Sequence, residues 1–432
     1  MQACRLPAAS HGPAVRPMPA AAAVKVMPQQ RRKWRRAARA GRAAAASAAA
    51  APVAAEDKWI ERALEAVAPD AAALPQPLAN LHSGCLVALA TQRMPTSRNE
   101  EYRFTDGAQS RARGGPFATL NGASAREVLV VHVPANLTVP GPIHVLYLSS
   151  GSGSSAAGST PAAAPRLLAV LEEGSSADIV EEFAALGGSG SGAGSAAAPA
   201  VTYLTNAVAE FELDDRAQLK HSYVELEGAG AAHMKATLVN QGRESSYTLT
   251  EARVGGSLSR HDLSIEQLGE ATQSQMRSFL LCGDRQLHDL HSKLRLDHPN
   301  GEASQLHKCI VSAASGRGVF DGNVKVNRLA QKTDAQQLSR NLLLVPRAQV
   351  NVKPNLQIIA DDVKCTHGCT VSDLEEEELF YLRARGISAE VARQMLVYSF
   401  GREVVQGLRD DALQGRVEAA VRDTLSAFAP SL

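Results

Sequence analysis

Between residues 201 and 364 the sequence offers one short strand after another and no helical period. Ala217, Leu219, His221 and Tyr223 alternate with polar residues, as do Tyr247 with Leu249, Leu294 with Leu296, Val324 with Val326, and Val350 with Val352. Alternation of this kind assigns one set of side chains to each face of a strand. Gly242, Gly255, Gly269, Gly283, Gly301 and Gly316 punctuate the run, and hairpin dipeptides are few. A sandwich, a barrel or a β-solenoid satisfies the pattern. The solenoid is favoured, because stacked coils bury a thin aliphatic stripe and leave His, Lys, Gln, Asn and Ser facing out. Aromatic residues, at 4% of the chain, are too scarce to build a core of another kind. Strand-like runs begin at about Glu127 with REVLVVHVPANLTV, PIHVLYL and PRLLAVLEEG. The β-core is therefore expected over 127–364. Two Gly/Ser/Ala tracts, 151–164 and 187–200, interrupt it. They bury too little apolar surface to offset the entropy of ordering and read as surface loops.

Helical patterns flank the strands. Residues 56–126 form the N-terminal helical region, opening with EDKWIERALEAVA and continuing through a helix from about Leu78 to Ala90 that carries Cys85 as a small buried hydrophobe. The C-terminal helical region is expected over 365–432. Ser372 and Glu375 have the spacing of a capping box, Gly386 suits a left-handed helix stop, and Ser388 suits the cap of the next helix. In that helix Ala392, Leu396, Phe400 and Val404 recur at four-residue steps and make one apolar face, and a further helix is read around Asp411 to Ala427. Such a face either covers the β-body or docks a partner.

Residues 1–55 contain ten basic residues and no acidic one, which is the composition of an organelle transit peptide. Removing those ten from the 45 Lys+Arg leaves 35 basic groups against all 44 Asp+Glu in residues 56–432. A net-acidic body lacks the footprint that neutralises phosphates, which argues against a nucleic-acid partner. No apolar run approaches 18 residues, so no membrane-spanning helix is expected.

Six cysteines in 432 residues make no disulfide framework. The dipeptide Gly-Lys is missing, and with it the Walker A loop; there is no H-E-x-x-H, G-x-S-x-G or C-x-x-C either. The one dense set of soft ligands is Cys365-Thr366-His367-Gly368-Cys369. Thiolate and imidazole suit zinc or iron–sulfur chemistry. Ligands two residues apart do not readily fill three corners of one tetrahedron. On an extended segment, however, Cys365, His367 and Cys369 share a face, with further ligands arriving from another strand or subunit. The alternative is a buried cysteine and a hydrogen-bonded histidine. Lys364 is a candidate to lower the Cys365 pKa, although neighbours on a strand point to opposite faces. Cys282, Cys309, His288, His291 and His298 form a looser second group, and His261 and His307 stand apart.

The run ADDVKCTHGCTVSDLEEEELFYLRARGIS resembles the signature of the SufD side of the SufB/SufD family, scaffold proteins of the SUF iron–sulfur cluster machinery. VFDGNVKVNRLAQKTDAQQLSRNLLL, PTSRNEEYRFTD at 95–106 and PRLLAVLEEGSSADIVEEF are similar to other stretches of that family. The sequence departs from it at Cys369, where Ala is usual, and at Tyr102 and Phe104, where Trp and Tyr are usual. The resemblance implies a mainly β protein, a right-handed parallel β-helix flanked by helical N- and C-terminal regions. It implies a non-enzymatic scaffold in the plastid stroma, paired with a SufB-type subunit and carrying a SufC-type ABC ATPase on its C-terminal helices through Leu396, Phe400 and Val404. It also implies that His367 serves a transient iron–sulfur cluster at the SufB interface, with no tightly bound cofactor in the isolated chain; Cys365 is the second candidate, and Cys369, outside the family pattern, a possible extra ligand. The rival from the residues alone is a metal-dependent enzyme with a Cys/His site on a β-solenoid.

Overall fold

The computed structural model describes residues 74–90, 115–149, 160–186 and 203–426, with isolated positions between 57 and 64 and at 92. The expected transit peptide 1–55, the stretch 95–106 and the insert 187–200 lie outside the described residues. From Leu129 to Ser372 the chain makes strands that alternate between two sheets. The first sheet has the order β1 (Leu129–Val133), β4 (Arg166–Leu171), β6 (Tyr203–Leu213), β8 (Ala231–Gln241), β10 (Leu258–Gln267), β12 (Leu287–Leu296), β14 (Arg317–Val326), β16 (Gln349–Ile358), with the short β3 (Ala162–Ala163) also on β6. The second runs β2 (Ile143–Ser149), β5 (Ser176–Ala185), β7 (Gln218–Leu226), β9 (Ser246–Val254), β11 (Gln273–Cys282), β13 (Glu302–Val311), β15 (Asp334–Leu343), β17 (Lys364–Ser372). Every ladder is parallel, as in β6 with β8 and β15 with β17. This is a parallel β-solenoid with helices at its N- and C-terminal regions, the architecture expected from the sequence.

Two boundaries shift. The β-body runs on to Ser372, so the 364/365 division falls at the head of the last strand. Cys365, His367 and Cys369 therefore belong to the solenoid and not to the helical region. Ala162–Ala163, the tail of the first Gly/Ser/Ala tract, is a strand and not a loop, because β6 supplies it with backbone partners.

The glycine punctuation falls at the corners as expected, Gly242, Gly255, Gly269, Gly283, Gly301 and Gly316 all lying between strands, but other residues share the left-handed positions there. Arg216, Glu244, Ala271, Asn300 and Lys332 all adopt left-handed φ values of 55–61°. An L-residue there costs roughly 1–2 kcal/mol. Each of these residues donates its N–H to a carbonyl of the next coil: Arg216 to Arg243, Glu244 to Glu270, Ala271 to Pro299, Asn300 to Gln331 and Lys332 to Asp362. Stacked hydrogen bonds of about 1 kcal/mol each offset the backbone strain, so these left-handed positions are held without glycine.

An aliphatic stripe runs through the interior, including Leu167, Leu171, Leu213, Leu249, Leu263, Ile265, Leu294 and Val326. Full burial of each such side chain contributes about 1.5–3 kcal/mol. A second apolar layer lies outside the second sheet. There α4 (Ala389–Val405) and α5 (Asp411–Ser426) place Val397, Val404, Leu413 and Val417 against Val224, Phe279, Leu281 and Ile310. The preceding α3 (Glu376–Arg383) starts at Glu375, which makes no side-chain cap. The Ser372–Glu375 capping box is thus absent, since Ser372 is spent in the β17 ladder. The other two punctuation marks are present: Gly386 has φ +85° after α3, and Ser388 Oγ accepts from the Val391 N–H at 3.3 Å. At the other end, α1 (Gln76–Ala90) packs through Leu89 against Leu120 of α2 (Gly115–Ser124), with the Cys85 thiol partly buried between them. Asn121 of α2 ties that helix down by donating to the carbonyls of Pro165 and Asn206 at 3.0 and 2.7 Å.

Candidate functional site

The solenoid ends at β16 and β17. Among the described residues β17 pairs only with β15 and β16 only with β14, so both present a free parallel edge. In β17, Cys365, His367 and Cys369 are the register partners of Ala335, Gln337 and Ser339. Those three are buried members of the inward row of β15. In-register parallel strands keep partner side chains on one face, so the Cys/His/Cys set shares the inward face at the open end. Cys365 is half-buried against the aliphatic stripe, whereas His367 and Cys369 are exposed. Burial pushes both the Cys365 and the Cys369 thiols up from their ordinary range. Lys364 does not activate Cys365 as considered; its side chain leaves the opposite face of the strand. His367 is the accessible imidazole of the row.

Among the described residues no group of three or more His, Cys, Asp or Glu side chains comes together as a metal-binding set. The second sequence group comes together only in part: Cys282 hydrogen-bonds with both Cys309 and His288 in the interior. His288 is buried in the interior and donates Nε2–H to the Gly255 carbonyl at 2.7 Å. His291 faces the other side of β12, 2.9 Å from Asp289, and Cys282 and Cys309 are wholly buried.

The interior holds what sequence reading missed. The solenoid buries far more than an aliphatic stripe. Lys235 Nζ donates to both Glu181 oxygens at 2.8 and 2.7 Å, and His221 Nε2 lies 3.1 Å from Glu181. Two coils on, Glu251 meets Arg253 Nε at 2.6 Å, His261 Nδ1 at 3.1 Å and Ser278 Oγ at 3.0 Å. All of these side chains are buried. Burial works to raise the Glu181 pKa, but the Lys235 ammonium and the His221 hydrogen bond outweigh it and hold the carboxyl at about 2. Glu251 is likewise held at about 2, with His261 and Arg253 overcoming its burial. Beyond this network His307 is pushed down to about 3 by burial and stacks on Phe320 with ring centroids 4.4 Å apart. The available signal was the alternation itself, which places His221, Tyr223, Glu251 and Arg253 in phase with the inward leucines.

The partner-docking face expected on α4 needs correcting too. Val404 is 0% exposed inside the apolar layer. Phe400 is half-buried against that layer, with Lys308 Nζ 4.3 Å from its ring centroid, and Leu396 is half-buried. The solenoid already occupies this face. The apolar side chains that α3 and α4 leave exposed are Phe380 (73%), Tyr381 (56%), Val391 and Met395.

These features define a parallel β-solenoid with a buried charge network and a thiol–imidazole row on its open last strand. The family description "SUF system FeS cluster assembly, SufBD core domain" matches residues 153–400. The chain is 46% identical over 312 residues to the chloroplastic protein ABCI7 of Arabidopsis thaliana, covering 72% of this chain and 63% of that one. It is 38% identical over 306 residues to an iron–sulfur cluster assembly SufBD family protein of Synechocystis (71% and 65%). It is 33% identical over 257 residues to the iron–sulfur cluster assembly protein SufD of Escherichia coli (59% and 57%). The matches thus span under two thirds of the length of each of these relatives. The chain belongs to the SufBD family of the SUF iron–sulfur cluster assembly system. No helix among the described residues is long and apolar enough to cross a membrane.

Proposed function

We propose that this chain is a non-catalytic, SufD-type scaffold subunit working in the plastid stroma after its basic leader has been removed. It pairs with a SufB-type subunit and lends His367 to an iron–sulfur cluster assembled transiently at their interface. The observation that carries this reading is the conjunction of two features in one strand: β17 has a free edge, and its inward row exposes His367 and Cys369. A free parallel edge is a template for strand addition by another chain. Exposed Ile358, Ile359 and Val371 around that end give the partner apolar surface to cover. A neutral imidazole binds iron, and a cluster built between chains draws its remaining ligands from the other subunit. The chloroplast relative and the acid-free residues 1–55 support the plastid assignment, which N-terminal sequencing of the endogenous chain checks.

A SufC-type ABC ATPase docks on the C-terminal helices, at Phe380, Tyr381, Val391 and Met395 and not at Val404. Exposed aromatic anchors of this kind dominate protein interfaces, and truncating them leaves the fold within about 0.5 kcal/mol. One co-assembly experiment tests both surfaces. His367→Ala is expected to leave the three-subunit complex intact and to lower its cluster content several-fold; an unchanged cluster content refutes the ligand role. Phe380→Ser combined with Tyr381→Ser is expected to abolish ATPase capture while the SufB-type subunit stays bound. Retention of the ATPase by that variant would place its docking site elsewhere.

A further inference from the structure

Directly beneath His367 lies a side chain that the reading above leaves without a task. Gln305 is the register partner of Gln337, and Gln337 is the register partner of His367. The three make one inward row, with neighbours about 4.8 Å apart. Gln337 is 2% exposed. One end of its amide is fixed: Nε2 donates to Gln305 Oε1 at 2.9 Å, and Gln305 Nε2 donates to Ser292 Oγ at 2.8 Å. The facing wall is recessed to admit this amide. A Cβ on Gly322 would stand 2.2 Å from Gln337 Nε2, so any other residue there would displace it. Yet Gln337 Oε1 is buried with no hydrogen-bond partner among the described residues. Such an orphaned acceptor costs about 1–3 kcal/mol. Next along the row is the His367 imidazole, which always carries at least one N–H.

We propose that Gln337 is a positioning residue for His367. Its Oε1 accepts an N–H of the imidazole, which selects one tautomer, fixes the ring plane and leaves the other ring nitrogen as a lone pair for iron. Metal-binding histidines are commonly held in this way by a partner behind the ring. The Ser292–Gln305–Gln337 ladder carries the anchoring back into the rigid body of the solenoid. It also gives a task to the last glutamine of the AQKTDAQQ stretch, whose Ala335 and Gln337 lie under Cys365 and His367. This inference rests on the reading of His367 as a cluster ligand, but it concerns the ring's geometry and is measured without a cluster.

The test uses the full chain with ring-15N-labelled histidine, the His367 signals being identified by their loss in His367→Ala. A single fixed tautomer gives widely separated protonated and unprotonated nitrogen resonances. Gln337→Met, of similar size but with no acceptor, is expected to bring them together as the two tautomers exchange. Gln337→Asn, which withdraws the oxygen by one methylene, is expected to do the same and serves if the methionine variant does not fold. Gln337→Glu keeps an acceptor and is expected to keep the separation. In the assembled complex the methionine variant should lose roughly tenfold in cluster yield and the glutamate variant should recover it. Separated resonances in folded Gln337→Met and Gln337→Asn would overturn the inference. Normal cluster yield from His367→Ala, with the resonances still responding to Gln337, would sink the ligand role alone and leave the positioning contact standing.

Discussion

Replacing Lys235 by methionine is expected to destabilise the solenoid by roughly 3–5 kcal/mol at neutral pH, the cost of stranding a buried charge without its partner. Lys235 gives Glu181 a bidentate cationic contact, at 2.8 and 2.7 Å, and both side chains are buried. In the intact protein the Glu181 and Glu251 pKa values of about 2 lie below the ordinary value of 4.5. The stability they contribute is therefore fully present above about pH 4.5 and drains away as the pH falls toward 2. Without Lys235, burial becomes the dominant influence on Glu181 and lifts its pKa above the unfolded value. The variant then suffers its full penalty at pH 7 and recovers part of it as Glu181 takes up a proton on acidification. Urea unfolding at pH 7 and pH 5 reads this directly. The gap between parent and variant should narrow at pH 5; equal midpoints at pH 7, or a gap that widens with acid, would show that the network does not hold charge.

Val404→Asp is the second large effect. Val404 sits at 0% exposure among Phe279, Leu281, Val397 and Val417. An aspartate there has no cation among those neighbours, and the burial of an unpaired carboxylate costs several kcal/mol. The expected result is release of α4 and α5 from the second sheet, seen as rapid proteolysis of the C-terminal helices, while the interior ladder of the solenoid persists. Met395→Asp, on the exposed side of the same helix, should leave proteolysis unchanged. If Val404→Asp folds normally and merely loses the ATPase, the face belongs to the partner interface after all.

The contrast between Val404 and Phe380 shows where sequence reading reaches its limit. A four-residue apolar period identified the α4 face correctly, but the same period serves a helix that covers its own sheet and one that waits for a partner. Only the tertiary structure decides, because the decision depends on whether Phe279 and Ile310, far away in sequence, present a complementary surface. The exposed aromatics of α3 had no periodic signal. They stand out only once the fold is seen to leave them uncovered.

Spacing left sandwich, barrel and solenoid open, and the parallel β-helix came from the family resemblance. The sequence alone determined the strand period, the helical flanks, the Gly386 and Ser388 punctuation, and the Cys365–His367–Cys369 row on one strand face. All of these depend on local spacing, and alternation by two or recurrence by four survives without any tertiary information. Three things required the fold. Left-handed corner positions go to Arg216, Glu244, Ala271, Asn300 and Lys332 beside the expected glycines, because inter-coil hydrogen bonds outweigh a local preference for glycine. The interior admits Glu181 and Lys235, 54 positions apart in sequence, because the coil length brings opposite charges together and each makes the other's burial tolerable. The open end gathers Gln337 under His367 for the same reason: stacking places residues a full coil apart within reach of one another, and no local pattern encodes which side chain will lie beneath which.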